Sequence, residues 1–205
     1  SGATIGWTPS SDIVNALEPV VPATQKAIFG YGGSNYSLTN LVSSSGVVGS
    51  DVTGVGTGRT RLAAAGYGFD KAIFGYGSTA GASTEVSITN KVSNEGVVAT
   101  NTTGVGTARR DLAASIYGGD KAIFGYGWNG SNLSMTNLVS NSGVVAADVT
   151  GVGTARNGVA GVKYGGTKGM FGYGYDSSSY LSMTNLVSDS GVVATDTTGV
   201  GTGRQ

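Results

Sequence analysis

The chain has 205 residues, of which 37 are glycine, and 12 basic side chains balance 12 acidic ones. A glycine share of about 18%, against a usual share of roughly 7%, excludes a helical bundle. Nucleic-acid and membrane-surface binding both need clustered Lys and Arg, which a chain with 12% charged residues and no net charge does not offer.

The sequence contains neither cysteine nor histidine. Disulfides and thiolate metal sites are therefore excluded, and so are nucleophile arrangements built on histidine. No apolar run is long enough for a membrane-spanning helix. We predict a protein that is not an enzyme, holds no cofactor or metal, binds no nucleic acid and does not insert into a membrane.

Residues 1–25 differ in composition from the rest of the chain. All three prolines, Pro9, Pro19 and Pro22, lie in this segment, and no repeated motif does. Residues 11–17 are compatible with the start of a short helix that the prolines end. We predict a separate leader that attaches the protein to other proteins.

Residues 26–205 consist of four copies of one unit with a period of about 47 residues. The string KAIFGYG, or its variant KGMFGYG, begins at Lys26, Lys71, Lys121 and Lys168. A Thr-Asn pair follows in each copy, and then the string GVGT-x-Arg, which ends at Arg59, Arg109, Arg156 and Arg204. The repetition indicates a fold built from four equivalent modules.

Each copy predicts four short strands separated by turn residues. In the third copy they cover residues 111–117, 121–126, 133–140 and 144–149. Residues 122–124 are apolar without interruption, which predicts burial on both faces. Gly125 and Gly127 predict positive φ or close backbone approach. The first strand is rich in alanine, which suits strands that converge near a common axis.

The order of these motifs resembles a kelch-like β-propeller blade, with Phe-Gly-Tyr-Gly where that family has a Gly-Gly doublet. The family's Trp after the third strand is replaced by Gly-Val-Val. The repeats are also similar to those of virion and fibre proteins of tailed phages, cyanophages in particular. The resemblance implies an all-β fold of four four-stranded repeats forming a propeller. A β-solenoid or an intertwined trimeric fibre is the alternative.

The ends of the repeated region pose a closure problem. The first copy has no small first strand before Lys26, and the fourth ends without supplying one. Residues 13–21 of the leader would close a four-bladed ring, a neighbouring subunit would donate the strand, or the array would stay open. An open apolar edge invites association. We favour closure within the chain.

The segment after Phe-Gly-Tyr-Gly varies most between copies and carries aromatic residues beside Asn, Asp and Ser. Aromatic rings cover the apolar face of a sugar while amides and carboxylates bind its hydroxyls. The candidate glycan-binding residues are Tyr36, Trp128, Asn129, Tyr175, Asp176 and Tyr180. The alternative is that these aromatics pack against the next blade or a neighbouring subunit.

The four repeated arginines are predicted to be structural. Each is expected to pair with a carboxylate such as Asp70 or Asp120, or with carbonyls at a blade corner; a ring of arginines that binds an anion is the alternative. The acidic turns that begin at Asp51, Asp148 and Asp196 are predicted to be turn residues. One carboxylate per copy is too few for calcium.

The resemblance implies a structural protein of a phage virion, either a tail fibre or spike or a capsid decoration, whereas the residues themselves predict only a rigid β module. The leader would dock on other virion proteins, and the exposed loops would contact carbohydrate on the host surface. The protein would form a homo-oligomer located in the virion. The rival interpretations are a free sugar-binding lectin and a self-assembling filament subunit.

Overall fold

The computed structural model describes residues 26–79 and 84–205. This part of the chain is all-β and contains no helix, so none of its elements is a helix long and apolar enough to cross a membrane. Its strands are β1 Ala27–Gly32, β2 Tyr36–Val42, β3 Ala63–Tyr67, β4 Lys71–Gly75, β5 Ser78–Thr79, β6 Thr84–Glu85, β7 Thr89–Val92, β8 Ala113–Tyr117, β9 Lys121–Trp128, β10 Asn132–Val139, β11 Ala160–Tyr164, β12 Lys168–Gly172 and β13 Thr184–Val187. The predicted leader, with its proposed closing strand at residues 13–21, lies outside the described residues.

The strands form four successive units, defined here as residues 26–59, 60–109, 110–156 and 157–205. Unit 1 contains the two-stranded sheet β1-β2. Units 2, 3 and 4 contain the three-stranded antiparallel sheets β3-β4-β7, β8-β9-β10 and β11-β12-β13. Unit 2 has in addition the small hairpin β5-β6.

The predicted fourth strand of each unit does not form a continuous ladder. In unit 3 the segment 144–149 pairs with β10 only at two isolated bridges, Val139 with Val145 and Thr136 with Val149. The register slips by one residue between them. The Asn137 side chain fills this bulge, since its Nδ2 donates to the carbonyl of Ala146 at 3.0 Å. The expectation of four-stranded sheets is therefore wrong by one strand in units 2, 3 and 4, because a buried amide replaces part of the ladder, and the described sheet of unit 1 has only two strands.

The first strand of unit 3 also begins later than predicted. Asp111 has a φ of 53°, a left-handed conformation that does not continue a strand. The predicted burial of residues 122–124 is confirmed, since all three side chains are fully buried. Gly127 has a φ of 110°, and a Cβ on Gly125 would lie 2.8 Å from the Phe171 ring. Both glycines of the motif are thus required by the backbone, as predicted.

Each hydrophobic core lies between two units. One cluster joins units 1 and 2, a second joins units 2 and 3, and a third joins units 3 and 4. The small first strands make this close approach possible, because β8 packs against β3 on one side and β11 on the other. A Cβ on Gly161 would overlap the backbone of Ala114. Every extensive contact between strands of different units joins consecutive units, and no described sheet is closed.

Candidate functional site

The same buried arrangement, called here the junction, recurs at each boundary between units. Its centre is the arginine that ends the GVGT-x-Arg string: Arg59, Arg109 and Arg156 are fully buried. Arg109 shows the pattern. Its Nε donates to the carbonyl of Tyr126 at 2.9 Å and its Nη2 to Oδ1 of Asn137 at 2.7 Å, both in the next unit. Its Nη1 donates to the carbonyl of Thr107 at 3.1 Å.

The arginine is held from the other side by an aromatic ring of its own unit. The Arg109 guanidinium lies 4.3 Å above the Tyr76 ring. Arg59 and Arg156 lie at 4.4 and 4.2 Å from the corresponding rings of Tyr31 and Tyr126. A desolvated cation over a ring contributes about 2 kcal/mol. The planar guanidinium therefore joins one unit's ring to the next unit's backbone.

Tyr126, one of these ring-bearing residues, adopts a strained backbone conformation with a φ of 64°. Tyr31, Tyr76 and Tyr173 share this geometry. The Tyr126 hydroxyl donates to the carbonyl of Val152 at 3.2 Å. Its ring meets Phe171 of the next unit edge to face, with the centroids 5.3 Å apart. The strain of a non-glycine residue at positive φ is thus offset by a hydrogen bond, an aromatic contact and an arginine.

A second polar contact crosses each junction at its rim. The backbone N–H and Oγ1 of Thr107 both donate to the Asp148 carboxylate of the next unit, at 3.0 and 2.7 Å. Asp148 also accepts from Nδ2 of Asn137 at 2.9 Å and lies 4.0 Å from Nη1 of Arg109. Thr154, Asp196 and Asn185 repeat this geometry at the third junction. Arginine, asparagine and aspartate therefore form one connected network.

The first junction is a weaker version of the same network. Asn101 stands where the other junctions have aspartate, and it accepts from the Thr57 N–H at 3.1 Å. Nη2 of Arg59 reaches the carbonyl of Phe74 at 3.5 Å. The Oδ1 of Asn90 is therefore buried without a hydrogen-bond partner in the described structure. An unsatisfied buried oxygen costs about 1–3 kcal/mol, so the contact between units 1 and 2 is the least stable of the three.

The electrostatics of the junction follow from its burial. Burial raises the pKa of Tyr76 and of Tyr126 to about 12 and lowers that of Arg109. Burial also acts to raise the pKa of Asp148, but hydrogen bonds from Thr107 and Asn137 and the charge of Arg109 outweigh it and hold that pKa below its ordinary value. The shifts of the two tyrosines and of Asp148 favour the neutral phenols and the ionised carboxylate that the network uses at neutral pH, whereas the lowered pKa of Arg109 reflects the cost of burying its charge.

The predicted pairing of the arginines with Asp70 and Asp120 is wrong. Asp70 lies 2.5 Å from Nζ of Lys71, and Asp120 lies 3.1 Å from Nζ of Lys121. Both aspartates belong to the turn that precedes the central strand, whereas the arginines are buried deeper. The carbonyl contacts offered as the alternative partner are those that Arg59, Arg109 and Arg156 make. Arg204, the fourth arginine, is exposed and lies 4.0 Å from the Tyr173 ring.

The variable loops of the four units lie along one edge of the array, called here the loop edge. Isolated bridges place each loop beside the start of its own unit: Thr60 with Ser78, Arg110 with Trp128 and Asn157 with Tyr175. The loops of units 3 and 4 also touch, since Nδ2 of Asn132 donates to Oγ of Ser177 at 2.9 Å. These two variable segments therefore form one polar surface on the loop edge.

The predicted glycan-binding residues occupy three places on this edge. Tyr175 and Tyr180 lie together, with their ring centroids 5.2 Å apart, and Tyr180 is 58% exposed. Trp128 is half-buried, and its ring lies 4.3 Å beneath the Arg110 guanidinium. Tyr36 is exposed beside Gly33 of its own loop. The structure records no contact between Tyr36 and the other aromatics among the described residues.

The polar members of the predicted set shape the loops. The Asp176 carboxylate accepts from the backbone N–H groups of Ser179 and Ser178 at 2.7 and 2.8 Å, and these bonds lower the pKa of Asp176. Asn129 is exposed, and its backbone N–H donates to the carbonyl of Ser131 at 3.1 Å. One carboxylate oxygen of Asp176 is thus already committed to holding its turn.

A cavity of about 120 Å³ lies at the second junction, between Lys91 and Thr102 of unit 2 and Val144 of unit 3. Small-molecule sites usually measure roughly 300–1,000 Å³, so this cavity is small for a ligand. In residues 26–79 and 84–205 no group of three or more Asp or Glu side chains is placed to hold a metal ion.

Sequence reasoning missed the roles of the asparagine in the Thr-Asn pair and of the aspartate that follows it. These two residues are separated by 11 positions in every unit. This constant spacing was the signal available in the sequence, but from the sequence the aspartates are predicted only to be turn residues. No family model matches the sequence, and no curated protein matches it.

Proposed function

We propose that this chain is a non-catalytic structural protein of a phage virion, a tail fibre or spike or a capsid decoration. The observation that carries the proposal is that one junction occurs three times, and that its polar groups form hydrogen bonds that join neighbouring units. Arg109, Asn137 and Asp148 each bond to other residues of the network. Such an array supplies length and rigidity, which a structural component needs.

The virion location is supported by the resemblance of the repeats to phage fibre proteins. The role proposed for residues 1–25 is docking on other virion proteins. The test is to express the full chain and a chain lacking residues 1–25 during infection and to measure both in purified particles. The full chain is expected in fixed stoichiometry and the shortened one at background. Equal incorporation would refute the docking role, and absence of both from particles would refute the virion location.

We also propose that each unit is a kelch-like propeller blade. The support is the packing of the small first strand β8 between β3 and β11, because inner strands of neighbouring blades pack in this way. Units 1 and 4 share no extensive strand contact in the described residues. Closure of a four-bladed ring by residues 13–21 remains a prediction, since these residues lie outside the described part of the chain. An electron-microscopy image that showed coils stacked along a straight axis would contradict the blade assignment.

A host-glycan contact at the loop edge is the second proposed role. Tyr175 and Tyr180 favour it, since they present paired rings beside the hydroxyl and amide groups of Ser177 and Asn132. Trp128 is less suitable, because a guanidinium already covers one face of its ring.

The glycan role is tested on a glycan array with wild type, Tyr180→Ala and Phe69→Ala. Phe69 is the control, since it is an exposed aromatic residue, 82% against 58% for Tyr180, that lies in the turn before β4 and outside the loop edge. Binding is expected to fall at least tenfold in Tyr180→Ala and to persist in Phe69→Ala. No binding by the wild type, or equal losses in the two variants, would refute the proposal.

A further inference from the structure

Unit 1 exposes side chains that the other units bury. Phe29 is 63% exposed, whereas its counterparts Phe74, Phe124 and Phe171 are at most 4% exposed because each packs against the preceding unit. Val48 is 54% exposed, whereas the equivalent Val98 of unit 2 is 8% exposed. Asp51 pairs with Asn40 at 2.8 Å, as its counterparts do, but it receives no N–H from a threonine among the described residues. We call this surface the head face.

Unit 4 exposes the opposite half of the junction. Arg204 stacks on the Tyr173 ring like its buried counterparts, yet it is exposed, and the one hydrogen bond described for its side chain is a long one from Nη1 to the carbonyl of Thr202. Val200 is 80% exposed, whereas the equivalent valines of units 1, 2 and 3 are half-buried. We call this surface the tail face.

The two faces match residue by residue. At the second and third junctions the arginine donates to the next unit's FGYG tyrosine carbonyl and to its asparagine, and the threonine donates to its aspartate. The tail face offers the donors Arg204 and Thr202, and the head face offers the acceptors Tyr31, Asn40 and Asp51. The head face also presents the exposed Phe29 ring to the tail face's Tyr173.

We propose that the tail face of one copy of this chain docks on the head face of a second copy and forms a fourth junction equivalent to the three internal ones. The occupant is a second copy because the donors, the acceptors and the aromatic pair are those of the internal junctions. A face pair of this kind is heterologous, so association continues to a closed ring or to an open filament. The inference stands on the junction geometry and does not depend on the virion role.

The experiment uses the 205-residue chain and one substitution on each face. Phe29→Asp places an unpaired carboxylate in the head face, and Arg204→Asp removes the tail's donors and reverses its charge. Both residues are exposed in the single chain, so both variants are expected to fold, which circular dichroism checks. Asp51→Lys is a second head-face variant. Glu95→Arg is the control, since Glu95 is an exposed residue of unit 2 and belongs to neither end face.

Sedimentation velocity over a concentration series measures the association. Wild type and Glu95→Arg are expected to grow in integral multiples of the chain mass, and each face variant is expected to remain a monomer. A mixture of Phe29→Asp and Arg204→Asp combines one intact tail with one intact head and is expected to give a dimer of twice the chain mass. A wild type that stays monomeric, a growth that survives both substitutions, or a mixture without dimer would each overturn the proposal.

Discussion

Replacing Arg109 by methionine tests whether the arginine holds the units together. The substitution keeps an unbranched apolar side chain in the junction but removes three donated hydrogen bonds. The carbonyl of Tyr126 and Oδ1 of Asn137 lose their donor in a buried place, at about 1–3 kcal/mol each. Methionine avoids the desolvation of a charge, which offsets part of this loss. We expect a net loss of about 3 kcal/mol of unfolding free energy.

Arg204→Met is the matched control, because Arg204 has the same local sequence and the same ring contact but is exposed and faces no described unit. Its loss should be below about 0.5 kcal/mol, as for other exposed charges. Urea unfolding followed by circular dichroism at low protein concentration measures both, and low concentration limits any contribution from association. Arg109→Met should also split the transition, since units coupled only to neighbours unfold separately once one junction fails.

Arg109→Lys separates charge from shape. Lysine keeps the charge but lacks the fork that reaches the Tyr126 carbonyl and Asn137 together. We expect it to lose most of the stability that Arg109→Met loses. If Arg109→Met and Arg204→Met differed by less than about 0.5 kcal/mol, the reasoning from burial and hydrogen bonding would be refuted.

Three further changes probe the same structure. Burial raises the pKa of Tyr126 to about 12. The stability that the neutral phenol contributes is therefore complete below pH 10, and about 2–3 kcal/mol of it is lost as the pH rises toward 12. Tyr126→Phe should remove this part of the alkaline loss of stability in urea titrations, and an unchanged pH profile would contradict the reasoning. The pKa of Asp148 is held below its ordinary 3.8 despite burial, so the stability that its carboxylate contributes is present above that pH and is lost as the pH falls below it. Asp148→Asn should therefore flatten the acid limb of the stability curve measured by urea unfolding, and an acid limb as steep as that of the wild type would contradict this. Gly161→Ala should lose at least about 2 kcal/mol of unfolding free energy or misfold, because its Cβ would overlap the carbonyl of Ala114 in the facing strand. Gly49→Ala is the control, since its Cβ would make only an ordinary 3.4 Å contact, and it should be neutral or slightly stabilising in thermal melts. Equal effects of the two substitutions would show that the close approach at Gly161 is unimportant.

The strands were predictable because their signals are local. The apolar run at residues 122–124 and the glycines that follow it mark β9, and the alanines of the first strand indicate close packing between units. These features depend on side-chain size and backbone freedom, which the sequence states directly. The predicted bounds accordingly fall within about two residues of those observed, an ordinary uncertainty for element ends.

The fourth strand and the arginine partners were not predictable, because both depend on which residues meet across a bulge or a junction. Asn137 replaces part of a ladder, and this role follows from a register slip that propensity does not encode. Asp148 lies 41 residues after Thr107, and only the stacking of units brings them together. The predicted glycan residues remain a prediction, since their loops vary between units and no repetition indicates which contact matters.

The placement of every core between neighbours has a consequence for how such a protein changes over generations. Duplicating or deleting one whole module leaves the remaining modules with the same kind of partner on each side, so no compensating substitution is needed. Unequal crossing-over within the gene can therefore lengthen or shorten the array in fixed steps, while the loops remain free to diversify.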